Sequence, residues 1–248
     1  MNLNIIRLLL VILLTLSFSG CKDLAPILEQ VKPILDKHSG AVPAFSPQQL
    51  TEAIKQALTK GVDDSVGLLG SPTGFSLSSL YHIAIPEPLN KPAGLLRQLG
   101  QGKYVDEFES RLNLAAEQSV SKAIPVFSAA IRGMSVTDAL NIIEGNNDAA
   151  TVYFKDKTST KLRQQFLPII RSATNKTGLT STYKKVSDKI TTYAPGYSSN
   201  LVDIDDYVLN HAMDALFDRV AVEEKLIREQ PLKRTTELMK SVFGHFAK

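Results

Sequence analysis

Apolar residues recur every three to four positions along most of this 248-residue chain, and that spacing places them on one face of an α-helix. The alternation typical of a β-strand occurs only from His82 to Pro88, where two prolines favour an extended strap over a helix. The pattern therefore predicts an all-α fold, a single multi-helix domain of about eight to ten helices with one short extended strap.

Capping residues and prolines mark the helix boundaries. Ser46-Pro47-Gln48-Gln49 predicts a helix start, because Ser46 and Gln49 can accept from each other's backbone amides and proline fits the first turn. Ser135-Val136-Thr137-Asp138 predicts a second start, and Asp203-Ile204-Asp205-Asp206 opens the longest helical pattern. The other helices are predicted at about residues 91–100, 103–132 with a break at Pro125, 147–156, 160–175, 180–192 and from Leu232 onward.

The only cysteine, Cys21, directly follows a short apolar segment. Arg7, the apolar run Leu8–Leu16 and the small residues after it have the layout of a secretory signal. The run is roughly half the length of about 20 residues that a membrane-spanning helix needs. Phe18-Ser19-Gly20-Cys21 resembles a bacterial lipobox, in which the cysteine becomes the lipidated first residue of the mature protein. The alternative is plain secretion, which would leave Cys21 as a free thiol.

Three segments follow from this interpretation. Residues 1–20 are predicted to be a lipoprotein signal peptide, 21–46 a lipidated tether with a short helix, and 47–248 the all-helical domain. Lys22 stands where aspartate favours inner-membrane retention in bacterial lipoproteins, so we expect a lipid-anchored protein on the periplasmic face of the outer membrane. The lipid anchor makes the membrane a predicted partner.

One pair of candidate ligand-binding residues lies on a single helix. Asn113 and Glu117 are four positions apart, so they share a face. They either point into a cleft and bind a ligand, or form a buried hydrogen-bonded pair that fixes helix register. We favour the second interpretation, under which both must be satisfied, because an unpaired buried polar group costs about 1–3 kcal/mol.

The other four candidates lie near predicted helix ends. Thr151 and Tyr153 follow the polar run 146–148 at a helix start, where free amides can bind an anion, although such residues more often only cap the helix. Arg228 and Arg234 flank Pro231 and can converge on an anion. The Arg228 side chain is also expected to form an exposed ion pair with a glutamate one turn earlier, as Glu107 and Arg111 do.

Motifs for metals, cofactors and nucleic acids are missing from the sequence. The histidines at 38, 82, 211 and 245 are scattered, without a His-Glu-x-x-His or paired-cysteine pattern, and His211 is expected in the core. There is no Gly-x-Ser-x-Gly elbow, phosphate loop or dinucleotide fingerprint. With a formal net charge of +3 and no basic block, nucleic acid is not an expected partner. We therefore predict no metal site and no cofactor.

A set of short motifs in a fixed order resembles a known bacterial family. They are Ile85-Pro86-Glu87-Pro88-Leu89, Asn113-Leu114-Ala115-Ala116-Glu117, Asp138-Ala139, Ala149-Ala150-Thr151-Val152-Tyr153-Phe154, Tyr207-Val208, Leu216-Phe217, Glu223-Glu224-Lys225-Leu226-Ile227-Arg228, Arg234-Thr235-Thr236-Glu237-Leu238 and Val242-Phe243-Gly244. Over about residues 50–244 the chain is similar to the family catalogued as domain of unknown function 4197. The resemblance implies a helical, exported protein and implies no reaction.

Three functional hypotheses follow. The first is a non-enzymatic binding or interaction module of the cell envelope, whose partner is an envelope protein or a small ligand. The second is a hydrolase or other enzyme with a dispersed site, with Glu117, Tyr153 and Arg228 as acid, base and anion-binding groups. The third is a structural envelope component. Convergence of those three side chains in one pocket would favour an enzyme.

Overall fold

The computed structural model describes residues 45–197 and 202–246, and this part of the chain contains nine α-helices and no β-strand. The all-α prediction is confirmed. Cys21 and the predicted signal peptide lie outside the described residues, as does the tether up to residue 44. The helices are α1 Pro47–Leu69, α2 Glu87–Gln98, α3 Gly102–Val120, α4 Ile124–Arg132, α5 Val136–Glu144, α6 Ala149–Lys176, α7 Leu179–Tyr193, α8 Ile204–Glu229 and α9 Glu237–His245. Short 3₁₀ helices occur at Pro195–Tyr197 and Pro231–Lys233.

Helix α8 is the centre of the domain. It packs directly against α1, α3 and α6, while α4, α5 and α9 lie against α1, and α2 and α7 lie against α3. Its apolar face is buried as the helical spacing predicts, from Ile204 to Ile227. The rings of Phe127, Phe154 and Phe217 join α4, α6 and α8 in edge-on contacts.

The capping box predicted at Ser46 is present, and the helix start predicted at Ser135 has one as well. Gln49 N donates to Ser46 Oγ at 3.2 Å, and Ser46 N donates to Gln49 Oε1 at 2.8 Å. Ser135 and Asp138 make the same reciprocal pair at the start of α5. These helix starts follow from local sequence because every group involved lies within four residues.

Some predicted boundaries were wrong. The strap ends at Pro86 rather than Pro88, because Pro88 falls in the first turn of α2, where a missing N–H is tolerated. The helices predicted at 147–156 and 160–175 are one continuous helix, α6, with Pro168 inside it on the exposed side. The last helix begins at Glu237, capped by Thr236, and not at Leu232, which lies in a 3₁₀ turn.

Two connected segments join α1 to α2, and both matter for the site. The 70–81 loop, Gly70 to Tyr81, consists of consecutive turns, and the strap, His82 to Pro86, is extended with Ile83 and Ile85 buried.

Among the described helices, none is by itself long and apolar enough to cross a membrane, and only the pair Gly102–Arg132 and Val136–Glu144, bent by 103°, meets that length and composition jointly.

Candidate functional site

Asn113 holds the strap. Its Oδ1 accepts from Ile83 N and its Nδ2 donates to Ile83 O, each at 2.9 Å, so the side-chain amide pairs with the backbone as a neighbouring β-strand would. Nδ2 also donates to Glu109 O at 2.9 Å. The residue is fully buried, with 0% exposure. The donors and the acceptor of Asn113 are therefore engaged inside the protein.

Glu117 holds the 70–81 loop. Its Oε1 accepts from Phe75 N at 3.1 Å, from Ser76 N at 3.0 Å and from Ser76 Oγ at 3.0 Å. Two successive backbone amides and a hydroxyl thus converge on one carboxylate oxygen, which is a strong arrangement because the acceptor carries charge. Asn113 and Glu117 are both buried, but they bond to the segment between α1 and α2 and not to each other.

Thr151 lies at the start of α6, where an internal carboxylate occupies the helix N-terminus. Glu224 Oε1 accepts from Ala150 N at 3.0 Å, and Oε2 accepts from Thr151 N and Thr151 Oγ1, both at 3.1 Å. Free amides at a helix start favour negative charge, and here α8 supplies it. Burial raises the pKa of Glu224, against the lowering effect of these amides and of Arg228.

Arg228 continues this network to the end of α5. Its Nη2 lies 3.0 Å from Glu224 Oε1 and donates to Ile142 O at 2.7 Å, while Nη1 donates to Ile143 O at 3.4 Å. The carboxylate thus faces the positive end of α6 and the guanidinium faces the negative end of α5. We call Glu224 and Arg228, with the two helix ends they bind, the α8 clamp.

The prediction of an exposed ion pair between Glu224 and Arg228 was wrong. Their side chains are 7% and 12% exposed, whereas those of Glu107 and Arg111, 3.7 Å apart on α3, are both 39% exposed. The difference arises because the clamp lies where α8 crosses the ends of α5 and α6.

Arg234 does not join Arg228 at a common anion. Its Nε donates to Ile227 O at 2.9 Å and its Nη2 donates to Arg228 O at 2.6 Å, so it caps the last turn of α8. It is 5% exposed, and burial lowers its pKa. The two arginines end different helices.

Tyr153 lies on α6 and faces the cap of α5. Its hydroxyl donates to Asp138 Oδ2 at 3.1 Å. Burial, together with the hydrogen bond to Asp138 and the charge of that carboxylate, raises the pKa of Tyr153 to about 12. The pKa of Asp138 is lowered, because the hydrogen bonds from Ser135 and Tyr153 outweigh the opposing effect of burial.

A cavity lies beside the α8 clamp. Ile54, Ile142, Val220 and Phe243 are among the apolar residues around it, and both clamp residues reach its wall. Its volume is ≈ 20 Å³, room for about one water molecule. Small-molecule sites usually measure about 300–1,000 Å³, so this cavity has the size of a packing defect and not of a ligand site.

The structure therefore distributes the six candidates over separate places. Thr151 and Arg228 share Glu224, and Asn113 and Glu117 share the segment between α1 and α2, but Tyr153 and Arg234 each have other partners. Sequence reasoning missed Glu224 as a buried residue. The signal was available, since Glu224 lies four positions after Val220 on the buried face of α8.

The histidines show a second difference from expectation. His211, predicted in the core, is exposed, and its Nδ1 lies 2.9 Å from Tyr207 O. It shares a recess of ≈ 380 Å³ with His82, Asp214 and Asp218. Within residues 45–197 and 202–246, no three His, Asp or Glu side chains are grouped so as to hold a metal ion.

Comparison with known proteins gives one match. A family model described as a protein of unknown function (DUF4197) matches residues 44–244. The match covers most of the chain, so the chain belongs to that family. No curated protein and no solved structure matches it.

Proposed function

We propose that this member of the DUF4197 family is a lipoprotein of the bacterial envelope, anchored through Cys21 on the periplasmic face of the outer membrane. The observation that carries the proposal is the position of the only cysteine, directly after an apolar run and small residues. Lys22 supports the outer membrane as destination. Acyl chains on Cys21 would hold the protein stably if two or more are attached.

We further propose that the helical domain acts by binding an envelope protein or a small ligand rather than by catalysis. Support comes from what the candidate acid and base groups do. Glu117 accepts three hydrogen bonds from the 70–81 loop, Tyr153 donates to Asp138, and Arg228 binds Glu224. These bonds engage the three side chains in different parts of the fold. The hypothesis of an enzyme with a dispersed site receives correspondingly less support.

The anchor is tested by replacing Cys21 with serine. Wild-type protein should incorporate labelled palmitate and fractionate with the outer membrane, whereas Cys21→Ser should do neither. A matched control is Ser19→Ala, which alters the same segment and leaves the thiol in place. Wild-type protein that takes up no palmitate, or Cys21→Ser that remains in the membrane fraction, would contradict the proposal.

The binding role is tested by crosslinking in intact cells followed by purification of the wild-type protein. We expect one envelope protein or ligand to be recovered repeatedly, and to be reduced with Cys21→Ser because that variant is no longer held at the membrane. Repeated recovery of nothing would count against a binding module, whatever the outcome of the palmitate experiment.

A further inference from the structure

The 70–81 loop exposes two leucines to an unusual degree. Leu77 and Leu80 are each 80% exposed, and Leu68 at the end of α1 is 49% exposed. The surrounding sequence carries no Asp, Glu, Lys or Arg from Ser65 to Pro86. An exposed segment with large apolar side chains and no charge is typical of a surface that contacts another apolar phase.

The same loop is held firmly from within. Phe75 is fully buried at its centre, and Glu117 binds Phe75 N and Ser76 N. Ser78 Oγ accepts from Leu80 N at 3.2 Å and from Tyr81 N at 2.9 Å. These contacts hold the backbone of the loop in place, so little backbone entropy remains to be lost when the leucines are covered.

The backbone amides around the leucines are also satisfied inside the loop. Leu77 N donates to Thr73 O at 3.4 Å and Ser78 N donates to Phe75 O at 3.1 Å, in addition to the two amides bound by Ser78 Oγ. A backbone N–H that enters hydrocarbon without a partner is costly, which is why irregular loops rarely do so. Of the five amides from Leu77 to Tyr81, these four would enter the interface with their hydrogen-bond partners.

We propose that Leu77 and Leu80 insert into the interfacial region of the lipid bilayer and dock the helical domain on the membrane surface. The proposal rests on the anchor at Cys21, because insertion of two side chains alone is weak and gains from being tethered. About 23 residues separate Cys21 from Phe45, and at about 3.3 Å per residue they span at most about 75 Å. With the anchor in place, the tether would keep a bilayer within about 75 Å of Phe45.

The charges beside the loop refine the prediction. Leu80 and Tyr81 line a recess together with Asp214 and Asp218, and Tyr81 Oη donates to Asp218 Oδ2 at 2.8 Å. Carboxylates next to the inserting side chains are repelled by anionic headgroups. Docking is thus expected on zwitterionic lipid and should weaken as anionic lipid is added. A basic protein segment would instead be attracted to this recess, so the experiment must distinguish a bound protein from lipid.

The test places a probe on the loop in the lipidated chain. Cys21 is blocked when acylated, so a cysteine introduced at position 80 is the only free thiol for an environment-sensitive fluorophore. Leu232→Cys is the matched control, because Leu232 is also a surface leucine, 97% exposed, in the 3₁₀ helix after α8. Both variants are reconstituted into phosphatidylcholine vesicles.

We expect the Leu80→Cys probe to shift to shorter emission wavelength and to be quenched by a lipid-borne spin label, and the Leu232→Cys probe to remain as in water. Addition of phosphatidylglycerol should reverse part of the shift. A probe at position 80 that stays in water, or equal insertion at both positions, would overturn the proposal. So would a photoreactive group at position 80 that couples in cells to a protein and not to lipid.

A second measurement separates this proposal from the anchor. The unlipidated Cys21→Ser chain is mixed with phosphatidylcholine vesicles, with and without Leu77→Ser and Leu80→Ser, and circular dichroism checks that helix content is unchanged. Each serine should reduce partitioning by about ten-fold, the lower end of the value for burying a leucine. Equal partitioning of all variants would refute insertion even if palmitate labels Cys21. A loss with serine would support insertion even if it does not.

Discussion

Replacement of Glu224 by alanine should destabilise the domain far more than replacement of the glutamate in an exposed Glu–Arg pair. The change removes the acceptor of Ala150 N, Thr151 N and Thr151 Oγ1 and leaves the Arg228 guanidinium without its carboxylate. An unsatisfied buried donor costs about 1–3 kcal/mol, and breaking one side of a buried ion pair costs about 3–5 kcal/mol. Because these overlap, we expect a total loss of about 3–5 kcal/mol.

Glu107→Ala is the internal control. Glu107 and Arg111 have the same residue types and spacing as the clamp pair, at 3.7 Å, but both side chains are 39% exposed. An exposed pair of this kind contributes only about 0.2–1 kcal/mol. The two variants therefore differ in burial and helix-end contacts, and not in the chemistry of the pair.

The assay is urea denaturation at neutral pH, followed by far-ultraviolet circular dichroism, with the free energies compared at equal slopes. The double variant Glu224→Ala/Arg228→Ala should lose less than the sum of the single losses, because the guanidinium is no longer stranded. A loss for Glu224→Ala as small as that for Glu107→Ala would refute the assignment of the clamp. Full additivity would show that the two side chains act independently.

Three further predictions concern other parts of the fold. Asn113→Leu should free the strap at a cost of about 2–6 kcal/mol, because Ile83 N and Ile83 O both lose their partner. Faster hydrogen exchange of the Ile83 amide would show this, and unchanged exchange would contradict that role. Gly74→Ala should lower the thermal midpoint of unfolding, because the added Cβ would lie 2.3 Å from Leu69 O. Gly94→Ala should leave the midpoint unchanged, because its Cβ meets nothing within 4 Å; equal midpoints would refute this. The Tyr153 pKa is raised to about 12, so its contribution to stability is present below the unfolded value of about 10 and lost as pH rises through about 12. Tyr153→Phe should therefore remove the last step of an alkaline absorbance titration. An unchanged titration would count against the raised pKa.

Elements defined by local chemistry were predictable from sequence. The starts of α1 and α5 follow from Ser46 and Ser135, whose capping partners lie three residues away. The division of α6 was wrong because a polar stretch near Ser159 resembles a linker, although on the exposed side of a helix packed against α8 such residues are tolerated.

The roles of the candidate residues were not predictable in the same way. Glu224 meets its partners on α6 from more than 70 residues away, and Glu117 meets the 70–81 loop across 41 or 42. Helical periodicity states which face of α8 is buried, but not which helix end will lie against it. The amide geometry of Asn113 with Ile83 likewise depends on the strap passing that point, which no pattern within α3 reveals.

The central place of α8 also affects when the domain can fold. Helices α1, α3 and α6 pack against a helix that begins only at Ile204, so these contacts cannot form before that part of the chain is present. A chain that emerges amino end first would leave the helix faces that pack against α8 uncovered until its final fifth has arrived. Truncation before Ile204 should accordingly yield aggregates rather than a smaller folded domain.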